Sequence, residues 1–245
     1  MSNNLIEIRN LAVSFPSEAG VVQAVRDVSL DIRAGEVLGI VGESGSGKTV
    51  MSLAMIRLLA RTASVSGSII HDGVDLLQLS DDAMSKYRGK EISMIFQDPL
   101  SALNPVHTIG RQIIEALQIH SEMNKSDALK HAIELLEIVG IPRPAERAQS
   151  YPHEFSGGMR QRVMIALAIA NRPKVILADE PTTALDVTVQ AQILDLLKTA
   201  RDMTGAAVFR RSRICACTVT SRAVVGSSAR ITFGRLAIAN AIITR

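Results

Sequence analysis

The feature that most constrains the fold is the stretch over residues 42–49, which reads G-E-S-G-S-G-K-T and fits the pattern G-x-x-x-x-G-K-T. An apolar run precedes it at residues 37–41, and apolar residues follow at helical spacing over residues 51–59. Strand, glycine-rich turn and helix form the context in which this pattern cradles phosphate. The glycines allow successive N–H groups to point inward, and the helix adds its positive dipole end. The stretch therefore predicts a nucleoside triphosphate site.

Within this phosphate loop, the sequence assigns a separate role to each functional side chain. Lys48 is expected to reach the β- and γ-phosphates, and the Thr49 hydroxyl is expected to ligate Mg²⁺. An ordinary glycine-rich turn between a strand and a helix is the alternative, and the flanking elements argue against it. The predicted ATP contacts in the loop are Gly42, Glu43, Ser44, Gly45, Ser46, Gly47, Lys48 and Thr49.

A second element of the same site is predicted some 130 residues later, where the buried-strand pattern of residues 175–178 ends in Asp179 and Glu180. A carboxylate at a strand end beside a phosphate loop can hold Mg²⁺, which suits Asp179. The adjacent Glu180 can orient an attacking water or accept its proton. An acidic pair alone is equally typical of a solvated strand end, and it is the combination with the loop that favours catalysis.

A further anion site is predicted where Ser156, Gly157 and Gly158 open a long helix. A serine hydroxyl and two glycine N–H groups would then lie at a positive helix end. Since the chain already has one triphosphate pocket, we interpret this site as one that closes over the nucleotide of another subunit.

Composition and charge limit the cellular compartment and the partners that can be expected for this chain. The longest clean apolar run before residue 210 spans residues 163–170, well short of a membrane span, and the N-terminus lacks the pattern of an export signal. Cys215 and Cys217 are separated by one residue, which suits neither a disulfide nor a metal site and favours a reducing cytoplasm. Residues 1–209 carry a net charge of −4, so nucleic acid is not expected as a partner.

The element pattern predicts an α/β fold. Residues 5–15 are expected to form an edge strand in a hairpin with residues 21–32, and further strands are expected at 64–70, 91–96 and 175–178. A helical insertion is predicted from residue 108, with Ser126 capping one helix and an amphipathic helix running from the Ser156 turn to residue 171. The isolated histidines, His71, His107, His120 and His131, are predicted to be solvated surface residues.

Residues 151–170, Y-P-H-E-F-S-G-G-M-R-Q-R-V-M-I-A-L-A-I-A, and 177–186, L-A-D-E-P-T-T-A-L-D, resemble the signature, Walker B and D-loop motifs of an ABC-transporter ATPase. Together with F-Q-D-P-L-S-A-L-N-P at residues 96–105, they are similar to the ATP-binding subunits of dipeptide and oligopeptide importers and their nickel-importing relatives. The likeness covers residues 5 to about 208. It implies a P-loop NTPase fold of ABC type, with a mixed core sheet, an N-terminal antiparallel β portion and a helical subdomain at about residues 98–170.

The resemblance also implies roles for individual residues. Gln97 would be the Q-loop glutamine, a catalytic residue that senses the metal. The residues implied to bind the metal are Thr49, Gln97 and Asp179. The signature residues that cap the partner's ATP would be Ser156, Gly157, Gly158 and Met159, with Glu180 as catalytic glutamate and Asp186 as D-loop residue. Phe15 lies where the family stacks adenine, although a plain core phenylalanine explains it equally well.

The implied partners are a second ABC ATPase subunit, two permease subunits and an extracytoplasmic solute-binding protein, with ATP and Mg²⁺ as cofactors. The implied place is the cytoplasmic face of the bacterial inner membrane. Two alternatives are a soluble ABC ATPase acting on nucleic acid or the ribosome, and an inert nucleotide-binding remnant.

The resemblance stops near residue 209. The family expects a switch histidine at the end of the strand that begins near Ala206, but no histidine follows His153. Residues 210–245 contain seven arginines and no acid, and the family's remaining C-terminal strands cannot be traced in them. A divergent native segment and a specialised basic tail are alternatives; we favour an out-of-frame or rearranged coding end. This divides the chain into a domain at residues 1–209 and an aberrant tail, and predicts impaired ATP turnover.

Overall fold

A computed structural model describes residues 4–43, 45–181, 187–212, 223–225 and 229–231, the last two segments and residues 187, 211 and 212 by backbone alone. The strands in these residues are β1 (Asn4–Ser17), β2 (Gly20–Arg33), β3 (Val37–Val41), β4 (Ser64–His71), β5 (Val74–Asp75), β6 (Ile92–Ile95), β7 (Val175–Asp179), β8 (Ala207–Ser212), β9 (Ala223–Val225) and β10 (Ala229–Ile231). The α-helices are α1 (Lys48–Met55), α2 (Asp81–Ser85), α3 (Pro99–Ala102), α4 (Ile109–Gln118), α5 (Lys125–Ile138), α6 (Pro144–Arg147), α7 (Gly157–Ile169) and α8 (Val187–Thr204).

The N-terminal strands form an antiparallel sheet in the order β2-β1-β4-β5. The predicted hairpin is confirmed, but the prediction that its first strand lies at an edge is wrong, because β1 pairs with β2 on one side and β4 on the other. The apolar alternation in β1 identifies its buried face, with Ile6 and Ile8 fully buried. Alternation says nothing about how many backbone edges are paired, so it could not distinguish an edge strand from a central one.

The second sheet is the core of the fold and has the order β10-β9-β3-β8-β7-β6. All of its strand pairs are parallel except that of β9 with β10. The carboxyl ends of β3, β6 and β7 therefore share one edge of the sheet, the edge at which open α/β sheets bind ligands.

Side chains of the core strands alternate between two buried clusters. On β7, Val175 and Leu177 join the cluster that faces the antiparallel sheet and α1. Ile176 and Ala178 join the opposite cluster, which contains the helical lobe together with α7 and α8. The core sheet is thus covered on both faces, which explains why all five residues of β7 are buried.

The strand that begins at Ala207 continues further than predicted. No strand could be traced beyond Phe209 in the sequence, yet β8 runs to Ser212, and β9 and β10 follow. β8 lies between β3 and β7 and pairs with both. Backbone pairing depends little on the side chain, and without β8 the facing groups of both neighbours would lack these partners. The backbone of β8 can therefore continue past Arg210, although this charged side chain is half-buried.

The helical lobe between β6 and β7 confirms the predicted insertion but corrects two details. Helix α5 is capped by Asn124, whose side chain accepts a hydrogen bond from the Asp127 N–H at 3.0 Å, and Ser126 lies inside the helix. Helix α7 ends at Ile169, and it is buried around most of its circumference rather than on one face. Across the described ranges, none of the helices has both the length and the apolar character to cross a bilayer.

Candidate functional site

The phosphate loop joins β3 to α1 and is organised around the Lys48 side chain, which is 6% exposed. The Lys48 ammonium donates hydrogen bonds to the Gly42 carbonyl at 2.7 Å, to the Ser46 Oγ at 2.8 Å and to the Glu43 carbonyl. The Ser46 N–H and Oγ both donate to the Glu43 carbonyl, at 3.3 and 2.8 Å. The loop therefore holds a positive charge at the start of a helix, where free N–H groups and the helix dipole also favour an anion, and this suits a polyphosphate.

Gly47 fits the loop for two reasons. It caps α1 in the left-handed conformation, with φ at 81°. A Cβ at this position would also lie 2.0 Å from the carbonyl oxygen of Ala24 on β2. The antiparallel sheet thus packs directly against the loop at a point where only a glycine fits.

The acidic pair at the end of β7 lies beside the loop, as predicted. Asp179 is 3% exposed, and its Oδ1 accepts a hydrogen bond from the Thr49 hydroxyl at 3.5 Å. These two residues are 130 positions apart in the chain. They meet because β3 and β7 end at the same edge of the core sheet.

Glu180 is held in a conformation that is unusual for its residue type. Its φ is 48° and its side chain is 2% exposed. Gln97, which follows β6, donates a hydrogen bond from Nε2 to the Glu180 Oε2 at 3.1 Å. A non-glycine residue in the left-handed region costs of order 1–3 kcal/mol and is found most often where function requires it. Gln97 and the backbone together fix the direction of the Glu180 carboxylate.

The donor set at this edge suits Mg²⁺. Thr49 provides a hydroxyl oxygen, Asp179 a carboxylate and Gln97 an amide oxygen, all of them hard ligands of the kind that Mg²⁺ takes together with water and substrate phosphates. Of the three residues predicted to bind the metal, Thr49 and Asp179 are in contact, and Gln97 contacts Glu180, the residue directly after Asp179.

The second predicted anion site lies at the start of α7. Ser156 is the N-cap, and its Oγ accepts a hydrogen bond from the Met159 N–H at 3.3 Å. Ser156 and Gly157 are exposed, and Gly158 and Met159 are partly exposed. A Cβ added at Gly158 would lie 3.1 Å from Val189 on α8, so this glycine also packs closely inside its own chain.

Arg160 positions this helix start and was missed in the sequence. Its Nε donates a hydrogen bond to the Pro152 carbonyl at 2.8 Å, tying α7 to the turn before it. His153 stacks on Tyr151 with the ring centroids 5.7 Å apart. The only sequence signal for Arg160 is a charged residue within the first turn of the helix, which is too common to predict this contact.

Three other predicted site residues need separate mention. Phe15 is half-buried against the cluster under the antiparallel sheet and is paired in register with Val22. Val22 precedes Ala24 by two residues, about 7 Å along β2, and the Ala24 carbonyl faces Gly47. Phe15, the partner of Val22, is therefore near the phosphate loop. Ser44 and Asp186 lie outside the described residues.

The prediction that His71 is a solvated surface residue is wrong. The side chain is 1% exposed, and its Nδ1 is 2.8 Å from the Leu5 carbonyl. Ile69 and His71 are two positions apart on β4 and both point inward, since strand side chains alternate between faces. His107, His120 and His131 are partly exposed, in keeping with the prediction.

The chain is similar to several known proteins. The family model described as "ABC transporter" matches residues 25–183. The oligopeptide transport ATP-binding protein OppD of Mycobacterium tuberculosis (strain ATCC 25618 / H37Rv) is 54% identical over 205 residues, covering 83% of this chain and 34% of that protein. OppD of Bacillus subtilis (strain 168) is also 54% identical, over 196 residues, covering 79% of this chain and 55% of that protein. The chain thus spans about a third to a half of these relatives.

Among solved structures, the dimeric ATP-binding cassette MJ0796 in a post-hydrolysis state with ADP and Pi superposes with a TM-score of 0.75. The match covers 84% of this chain and 87% of that one, at 31% identity.

Proposed function

The chain belongs to the ABC transporter family, and from this premise we propose that it is the ATP-binding subunit of an importer for peptides. The observation that carries the proposal is the 54% identity over 205 residues to a protein named for oligopeptide transport. The site geometry supports the ATP-binding part of the proposal, because the phosphate loop, Asp179 and the Gln97–Glu180 pair converge on one edge of the core sheet.

The described residues divide the chemistry between them. The backbone of the loop and the Lys48 ammonium bind the β- and γ-phosphates of ATP. Glu180 orients the attacking water and takes its proton, and Gln97 holds the Glu180 carboxylate in place. Thr49, Asp179 and Gln97 would hold Mg²⁺, which when bound neutralises charge on the phosphate oxygens.

We place the complete catalytic site between two ATPase subunits. Ser156 and Gly157 lie exposed at the start of α7, where N–H groups and the helix dipole favour an anion. Their own chain already has a phosphate loop, so they are proposed to cap the nucleotide of the second subunit. The remaining proposed partners are two permease subunits and an extracytoplasmic solute-binding protein, at the cytoplasmic face of the inner membrane.

We further propose that hydrolysis by this chain is slow. The family expects a switch histidine where β8 ends, and the register there places Arg211 beside Asp179 and Ser212 beside Val41. Phosphoryl transfer depends on preorganised groups around the γ-phosphate, and losing one commonly costs about 10²–10³ in rate. We retain the proposal that residues 210–245 come from an out-of-frame or rearranged coding end, which the DNA beyond codon 205, translated in three frames, will test.

Nucleotide binding is tested with Lys48→Ala, which removes the charge from the loop. The matched control is Lys90→Ala, since Lys90 is exposed and lies outside the site. We expect Lys48→Ala to abolish binding of a fluorescent ATP analogue and Lys90→Ala to leave it intact. A folded Lys48→Ala protein with unchanged affinity would contradict the assignment of the loop.

The transport role is tested by fractionation after expression with candidate peptide permeases. We expect the chain to co-purify with the permeases from membranes, and Glu180→Gln to preserve this association. Recovery with ribosomes or DNA instead would favour the alternative of a soluble ABC ATPase. Steady ATP turnover that Glu180→Gln eliminates would contradict the proposal of slow hydrolysis.

A further inference from the structure

We propose that His71, Asp72 and Glu91 form a binding site for a divalent metal ion of the zinc type, at the edge of the core sheet opposite the nucleotide site. Glu91 comes directly before β6, and the neighbouring Lys174 directly before β7. Gln97 and Asp179 lie at the other ends of these strands. The two sites are therefore separated by the length of a strand, about 13 Å for the four residues of β6.

Three donor atoms converge at this point. The His71 Nε2 lies 3.6 Å from the Glu91 Oε2 and 3.9 Å from the Asp72 Oδ2, and one donor atom from each of the three residues lies within 4.8 Å of the others. Donors on a tetrahedral zinc ion with bonds of 2.0–2.1 Å are about 3.3 Å apart. The observed spacing therefore requires only a small inward movement of each side chain.

The His71 ring is oriented as a metal ligand would be. Its Nδ1 donates to the Leu5 carbonyl at 2.8 Å, so in the neutral ring Nε2 carries a lone pair. Metal-binding histidines commonly donate their other N–H to a backbone carbonyl in this way. Tyr87 packs edge-on against the ring, with the centroids 6.0 Å apart, and further limits its rotation.

The Nε2 of His71 is the observation that points to a ligand. It is buried and has no hydrogen-bond partner among the described residues, although it faces two carboxylates. A lone pair directed at carboxylate oxygens is unfavourable, and a cation between them removes the conflict. Imidazole together with carboxylate oxygens is a donor set that zinc accepts.

Lys174 is the internal competitor for the same carboxylates. Its ammonium lies 2.7 Å from the Asp72 Oδ2 and 3.1 Å from the Glu91 Oε2. The hydrogen bond that Lys174 donates to Asp72 lowers the pKa of Asp72 and raises the pKa of Lys174. The Lys174 side chain is 49% exposed and can swing into solvent when a metal binds. A bound metal would join β4 of the antiparallel sheet to the start of β6 in the core sheet.

The test measures zinc binding to the full chain by calorimetry, with Cys215 and Cys217 replaced by serine so that thiols cannot bind the metal. Excess Mg²⁺ is present throughout, to occupy oxygen-only sites such as that of Asp179. We expect one zinc per chain and a rise in melting temperature of about 5 °C or more at a zinc concentration one hundred times the dissociation constant.

Two variants should shift the affinity in opposite directions. His71→Gln removes the nitrogen ligand and should weaken binding at least about tenfold. Lys174→Gln keeps all three donors and the buried core but removes the competing charge, so it should tighten binding about tenfold. The control is His131→Gln, because His131 is a partly exposed helix residue with Glu134 at 3.1 Å and should leave zinc binding unchanged.

The outcome separates a metal site from a merely structural histidine. In a structural role, His71→Gln lowers the melting temperature equally in zinc and in EDTA; in a metal site, it removes the zinc-dependent increase. The proposal is overturned if the parent chain binds no zinc, if His71→Gln binds as tightly as the parent, or if Lys174→Gln fails to bind more tightly. The last test does not depend on folding of the His71 variant.

Discussion

Gly47→Ala should damage the phosphate loop far more than Gly45→Ala, although both glycines have nearly the same backbone conformation. The φ angles are 81° and 80°. At Gly47 an added Cβ would lie 2.0 Å from the Ala24 carbonyl oxygen, whereas at Gly45 no described residue beyond the two chain neighbours has an atom within 4 Å of it. The pair therefore separates the steric contribution from the cost of the left-handed conformation.

The two contributions can be estimated separately. A left-handed conformation costs an alanine about 1–2 kcal/mol relative to glycine, and this applies to both variants. Relief of the contact with Ala24 requires movement of the loop or of β2, at about 1–3 kcal/mol for an overpacked site. We expect Gly45→Ala to lose about 1–2 kcal/mol of unfolding free energy, and Gly47→Ala about 2–5 kcal/mol.

Urea denaturation provides the unfolding free energies, and a fluorescent ATP analogue provides the affinities. Gly47→Ala should also lose nucleotide affinity, since moving Gly47 displaces Lys48 and Thr49 directly after it. Gly45→Ala measures how much affinity is lost when a methyl group is added to the loop without the contact with β2. Equal destabilisation by the two variants would refute the inference that β2 packs against the loop at Gly47.

Three further predictions concern the rest of the site and the lobe. Gly157→Asp should prevent ATP-dependent dimerisation, measured by light scattering, whereas the neutral Gly157→Asn should permit it. The aspartate charge is favourable at a helix start but repels the phosphate of a partner's nucleotide. Equal dimerisation of the two variants would contradict a site shared between subunits. Gln97→Ala should lower the unfolding free energy by about 1.5–3 kcal/mol, since it removes a hydrogen bond to the buried Glu180 carboxylate; unchanged stability in urea would count against that bond. Gly110→Ala should destabilise the helical lobe, as its Cβ would lie 2.7 Å from the Ala148 carbonyl oxygen; urea unfolding identical to the parent would argue against this packing.

The sequence predicted those parts of the site in which the chemistry is local. The phosphate loop has a fixed order of residues because its backbone must curl around an anion. β3 before it is a continuous apolar run, and apolar residues recur at helical spacing in α1 after it. Ser156 could be predicted as a cap for a similar reason, since the N-cap and the glycines after it are consecutive. The meeting of Thr49 with Asp179 needed one further rule, that parallel strands end at a common edge.

What could not be predicted depends on contacts between distant segments. The central position of β1 requires its pairing with β4, and no pattern within residues 4–17 encodes that partner. The spacing of His71 to Ile69 is compatible with burial, but an isolated histidine directly after the predicted strand of residues 64–70 favours a surface position. Glu91 contacts His71, Lys174 contacts Glu91, and these two residues directly precede β6 and β7, so only the folded chain reveals the cluster.

The position of β8 leads to a last prediction, that the segment beyond Phe209 is required for nucleotide binding although it contains no residue of the phosphate loop. β8 separates β3, which leads into the loop, from β7, which carries Asp179. β3 and β7 are therefore two strand spacings apart, about 9.6 Å, and the side chains of Thr49 and Asp179 meet across this distance. Three of the five register pairs between β3 and β8 involve residues 210–212.

A chain ending at Phe209 should therefore bind ATP weakly, because the carboxyl ends of β3 and β7 lose the strand between them and their facing backbone groups lose these partners. A chain ending at Ser212 is the matched control: it retains all of β8 and should bind ATP more tightly than the shorter chain. Equal affinity of the two chains for a fluorescent ATP analogue would show that residues 210–212 do not support the site. That result would contradict a β8 extending to Ser212, and with it the argument that the backbone of an arginine-rich segment completes the core sheet.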